Sequence, residues 1–127
     1  MRHKQSKLLS VPRKFLVKDP RGKEVILTEA GWVEHILADH GELASYLEYL
    51  EQTITDPDRI YKSQWDNASE LYLRRSSIAT GPFQGYHIVV VVRWCLESLR
   101  LIGVVTTGYV TSDDKIGGEL RWQRSNQ

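Results

Sequence analysis

Residues 86–111 read YHIVVVVRWCLESLRLIGVVTTGYVT, and the fold turns on them. Four consecutive valines, Val89 to Val92, lie in a run from Tyr86 to Trp94 rich in β-branched and aromatic residues, which predicts a strand. Leu99 to Val110 is a second such run. Only Cys95-Leu96-Glu97-Ser98 separates them, so the two strands are expected as antiparallel neighbours. Along the second, Val105, Thr107, Tyr109 and Thr111 alternate onto one face, and Val104, Thr106, Gly108 and Val110 onto the other.

Upstream, Arg59 to Trp65 and Glu70 to Arg75 read as a further hairpin closed by Asp66-Asn67-Ala68-Ser69. Tyr72 and Arg74 share one face of it, whereas Leu71, Leu73 and Arg75 share the other. The loop from Ser76 to Gly85 carries the breakers Gly81-Pro82. Before Arg59 the period changes from two to helical. Leu43, Tyr46, Leu47, Leu50 and Ile54 form an apolar helix face that ends at Asp56-Pro57-Asp58, because proline cannot continue the backbone bonding. Thr28 caps an earlier helix whose stripe is Val33, Ile36, Leu37 and His40, broken at Gly41. At the N-terminal end, Lys14 to Lys18 and Glu24 to Leu27 flank the turn Asp19-Pro20-Arg21-Gly22 and predict a short hairpin. Leu120 to Trp122 reads as a last extended piece. The expected fold is therefore α+β, with an N-terminal hairpin and two helices packed on a four-stranded antiparallel sheet. Residues 1–13 are expected as a flexible basic arm and residues 14–127 as one domain.

Composition narrows the function. The chain has 127 residues, 41% hydrophobic and 26% charged, an ordinary globular balance for one domain. The longest apolar run is far short of the ~20 residues of a membrane span. With Cys95 as the single cysteine, an intrachain disulfide and a cysteine metal cluster are excluded. A soluble, cytoplasmic protein is expected. Net charge is +1, but unevenly spread. Up to Lys23, eight basic residues face Asp19 alone, which gives that segment +7 and leaves −6 on the rest. Such an arm would steer a protein toward phosphate.

No phosphate-binding glycine loop, dinucleotide fingerprint, His-Glu-x-x-His or paired-cysteine motif occurs. The remaining candidates are few. His35 and His40 lie five residues apart, about 140° around an α-helix, which disfavours a shared metal ion, and no metal or other cofactor is expected. Arg74 or Arg75 can clamp an oxyanion, because the guanidinium is forked and always charged. Thr107 and Tyr109 present two hydroxyls side by side.

Taken in order, His35-Ile36-Leu37, Asp39-His40-Gly41-Glu42-Leu43, Thr53-Ile54-Thr55-Asp56-Pro57-Asp58, Glu70-Leu71-Tyr72-Leu73-Arg74, the valine strand and Val105 to Thr111 form a pattern. It resembles the phage-type branch of the barnase/EndoU/colicin/RelE-like (BECR) nuclease superfamily. The resemblance covers roughly residues 32–111. It implies a metal-independent endoribonuclease, toxin-like, that works by 2′-hydroxyl attack and leaves a 2′,3′-cyclic phosphate. It implies His35 and His40 as acid and base, Arg74 as phosphate clamp with Arg75 as its substitute, and Thr107 and Tyr109 as groups that orient the phosphate. Tyr72 or Trp65 would stack an unpaired base of the RNA. A cognate antitoxin or immunity protein is a further implied partner. Asp39 and Gly41 depart from the family pattern, where a basic residue and a proline are common. The alternative is a catalytically inactive RNA- or protein-binding module of the same fold.

Overall fold

The computed structural model describes residues 7–125. After a helical turn, α1 (Lys7–Ser10), strands β1 (Arg13–Lys18) and β2 (Glu24–Thr28) form the expected hairpin. Asp19 builds its turn, accepting hydrogen bonds at Oδ1 from the backbone N–H groups of Arg21 and Lys23. The first six residues of the expected basic arm lie outside the described residues. Within α1, the Leu8 N–H donates to Glu97 Oε1 at 2.8 Å.

A short helix, α2 (Glu29–Gly31), starts at Thr28, whose side chain accepts the Gly31 N–H. It runs into a π-helical stretch, Trp32–Leu37. The wider turn moves the apolar stripe. Trp32 and Ile36 are buried, whereas Val33, expected on the stripe, is 57% exposed. A 3-10 turn, Gly41–Ser45, leads to α3 (Leu47–Thr55), which ends at Asp56 as expected. Among the described residues no helix is long and apolar enough to cross a membrane.

Strands β3 (Arg59–Lys62), β4 (Ser69–Arg74), β5 (His87–Glu97) and β6 (Arg100–Thr111) form the predicted antiparallel set. The sheet is larger than that. Strand β7 (Leu120–Gln123) pairs antiparallel with β3, and β2 joins β6 in parallel through Val25 with Gly103 and Ile26 with Val104. One mixed seven-stranded sheet results, in the order β1-β2-β6-β5-β4-β3-β7, in place of four antiparallel strands beside a separate hairpin. The parallel pairing joins segments far apart in the chain, which local patterns cannot announce.

One face carries the main core. Phe15, Leu27, Leu50, Ile54, Ile60, Tyr72, Ile88, Val90, Val92 and Val105 are buried together, with α3 laid across the strands. Trp94 reaches over Gly103, where an added Cβ would stand 2.8 Å from the indole and 2.6 Å from Val92. The same face buries a polar network. Arg21 is bonded to both Asp19 and Glu70 in ion pairs of 2.8 and 2.7 Å. The Tyr72 hydroxyl donates to Asp19 at 2.7 Å, and the Trp94 indole N–H donates to Glu70 at 2.8 Å. The opposite face carries a smaller cluster of Tyr61, Leu73 and Val89, with Leu71, Tyr109 and Ile116 packed against it.

A bulge separates the two halves of β6. Val92 pairs with Val105, but Val91 pairs with Thr107, so Thr106 is the extra residue. Its hydroxyl donates to the Val91 carbonyl at 3.3 Å. An inserted residue inverts the alternation beyond it. Val105 therefore points into the main core, while Thr107, Tyr109 and Thr111 point to the open face, and the expected single row of four is split.

Candidate functional site

Among the described residues, β6 has no strand partner on its β2 side after Val104, and the segment following β2 packs there. This brings the helix histidines to the hydroxyl-bearing half of β6. His35 lines a cavity of about 270 Å³ with Leu8, Thr28, Gly31, Val105 and Thr106. The His40 ring lies 6.4 Å from the Tyr109 ring, tilted by 35°. Thr106 and Tyr109 are three residues apart, so the histidines sit at levels separated by about 10 Å along one strand.

Glu42 selects the tautomer of the neutral His40 ring. Its Oε1 lies 3.2 Å from Nδ1. An ionised carboxylate only accepts, so Nδ1 carries the proton and donates, and the neutral ring keeps Nε2 as a proton acceptor. Burial pushes the Tyr109 phenol above its ordinary value, so near neutral pH it is an uncharged hydrogen-bond donor.

The remaining expected residues fall in different places. Tyr72 is fully buried, and both burial and its bond to Asp19 push its phenol up. No base can stack on it, which corrects its assignment as an RNA-binding residue. Arg74 opposite Ile88 has core-side parity and donates to the Asp56 carbonyl and carboxylate at 2.5 and 2.9 Å. Arg75, one residue on, belongs to the open face and pairs with Asp114 at 3.0 Å. Thr107 is two pairing rows from Tyr109, next to it on the same face. Trp65 stands 90% exposed in the β3–β4 turn.

His87 was not among the residues expected from sequence. It opens β5 opposite Thr111, on the same face as Tyr109. The Ser76 N–H donates to its Nδ1 at 2.8 Å, so the neutral ring carries its proton on Nε2. His87 is thus a donor toward the open face, the reverse of His40. Its signal was parity: it precedes Val89 by two, and Val89 pairs with Tyr109. Arg59 also belongs here, in the pairing row of Leu73, Val89 and Tyr109, and donates to the Tyr61 hydroxyl at 3.2 Å. Among the described residues, no group of three or more His, Cys, Asp or Glu side chains is placed to hold a metal ion.

A mixed sheet with one helix-covered face, and two imidazoles placed along its longest strand near a phenol and a threonine hydroxyl, define a small α+β protein. Residues 4–123 match the profile of the phage-Barnase-EndoU-ColicinE5/D-RelE like nuclease2 family, PBECR2. The chain belongs to that family of nucleases. No curated protein matches it significantly. No solved structure does either.

Proposed function

We propose that this chain is a metal-independent endoribonuclease. Its nucleophile is the ribose 2′-hydroxyl. His40, with Nδ1 engaged by Glu42 and Nε2 free, takes the hydroxyl proton. The 2′-oxygen bonds to the adjacent phosphorus while the bond to the 5′-oxygen breaks. His35 is assigned the return of a proton to that leaving oxygen, which requires the two rings to close on one phosphodiester from strand levels about 10 Å apart. The products are a 2′,3′-cyclic phosphate and a free 5′-hydroxyl. Tyr109 and Thr107 donate to the phosphate oxygens. Between the two arginines, Arg75 suits the fixed cation better than Arg74, because it has the parity of Tyr109 whereas Arg74 has core-side parity; each pairs with one carboxylate, Asp114 and Asp56 respectively. The observation that carries the reading is the His40 ring 6.4 Å from that of Tyr109, with a carboxylate behind it.

Incubation of the pure protein with mixed RNA in EDTA tests it. Fragments ending in cyclic phosphate are the expected result, and intact RNA refutes it. The second reading, a binding module, draws on Asp39 and Glu42, two carboxylates beside His40 that repel phosphate. It predicts RNA shifted on a native gel and not shortened.

A further inference from the structure

A second cavity, of about 230 Å³, opens on the far side of Tyr109 from the strand edge and is lined by Gln64, Trp65, Leu71, Lys115, Ile116 and Gly117. Its walls come from the β3–β4 turn and from the loop joining β6 to β7. The loop is pinned there by its glycines. Gly118 has φ of +109° and passes so close to β3 that an added Cβ would stand 2.1 Å from the Lys62 carbonyl oxygen. At Gly117 an added Cβ would stand 1.7 Å from Gln64 Nε2. A side chain at 117 would displace the Gln64 amide, so the glycine leaves the room that amide occupies in the cavity wall.

The chemistry of this lining is specific. The Gln64 amide offers both a donor and an acceptor, as a nucleobase edge requires. Trp65 keeps its indole in solvent at the rim, a platform on which a planar ring can stack. Lys115 supplies a mobile cation for a phosphate. The volume admits one ring system and no duplex. Tyr109 is shared between this cavity and the His40 site.

The geometry points to a nucleobase-selecting subsite: one unpaired base of single-stranded RNA lies against Trp65, with its edge read by Gln64 and its backbone directed past Tyr109 to the histidines. This rests on the ribonuclease reading for the nature of the ligand, but it is testable without cleavage. The probe is a set of four fluorescent 2′-O-methyl homotetranucleotides, which bind but have no nucleophile. Titration of the full chain is followed by anisotropy. The parent is expected to discriminate among the four. Trp65→Ala should weaken all of them about tenfold, the scale of one lost base–aromatic stack. Gln64→Ala should narrow the spread between them, and Gly117→Ala should mimic it by displacing the amide. Gln64 and Trp65 are both exposed, so their variants fold. The subsite is overturned if the parent binds none of the four, binds all four equally, or if either the Trp65 or the Gln64 variant binds as the parent does. Base-selective binding without cleavage of ordinary RNA would refute the nuclease reading alone.

Discussion

On the core side of the sheet, Asp19, Arg21, Glu70, Tyr72 and Trp94 satisfy one another in a largely buried network, whereas on the open side the polar groups face outward around Tyr109. Arg21 bonds two carboxylates beneath the β1–β2 turn. Arg75, on the other side, pairs with a half-exposed Asp114 from a loop. The Tyr72 phenol is consumed by Asp19; the Tyr109 phenol lies beside His40 and a cavity. Both faces use the same residue types. What separates them is whether the partner is built into the fold or left to a ligand. A buried ion pair contributes chiefly by being complete, since removing one member leaves an uncompensated charge. A half-exposed group has little effect on stability and is free to act.

The sharpest way to break this contrast is on the open side. His40→Ala and His35→Ala should each lower single-turnover RNA cleavage by about 10²- to 10⁴-fold, the usual scale of general acid–base catalysis, with an unchanged circular dichroism spectrum. Parent-like rates in both would remove the acid–base assignment. On the core side the effect moves to stability. Arg21→Met should cost about 3 kcal/mol in urea denaturation, because Asp19 and Glu70 remain buried without their cation. A loss under about 0.5 kcal/mol, the scale of an ordinary surface change, would show the network to be incidental.

Acid sharpens the same comparison. Burial by itself would raise Glu70, but the hydrogen bond and charge of Arg21, with the Trp94 indole, outweigh it and hold the carboxyl below the ordinary 4.5. With its folded value depressed, the pairing contributes fully above about pH 4.5 and its contribution fades as the pH falls through that lower value. The gap in urea midpoint between the parent and Arg21→Met should therefore narrow on acidification. A constant gap would contradict the pairing. The smallest effect belongs to the β5–β6 turn, where Ser98 and Leu99 have φ of 52° and 63° and Leu99 is 94% exposed. Leu99→Gly should stabilise by about 0.5–1 kcal/mol, since a turn with two positive φ angles favours glycine. Destabilisation would show that Leu99 makes contacts that hold the hairpin.

Much of this architecture was legible in residue order. The Asp19 turn, the valine strand, the Asp56-Pro57 stop and the antiparallel order of β3 to β6 follow from local chemistry, and the structure has them where that chemistry puts them. Three features escaped it. The π-helical turn at Trp32–Leu37 changes which residues share a side, because bonds reach five residues instead of four. The bulge at Thr106 reverses a face count that assumed perfect alternation. The parallel contact of β2 with β6 joins segments nearly eighty residues apart. In the candidate site, His35, His40, Tyr109 and Trp65 were visible as residue types. Tyr72 was misjudged because an aromatic on a strand gives no sign of a buried carboxylate waiting beneath it. His87 was hidden because its partners, Ser76 and Thr111, come from different elements.

The most direct test uses a DNA oligonucleotide carrying one ribonucleotide, incubated with the parent chain in EDTA and resolved by mass spectrometry. A single cut on the 3′ side of that ribonucleotide, leaving a cyclic phosphate and a 5′-hydroxyl, is the predicted result. Cleavage of the all-deoxy strand, or none of either at enzyme excess, would contradict a mechanism whose nucleophile belongs to the RNA.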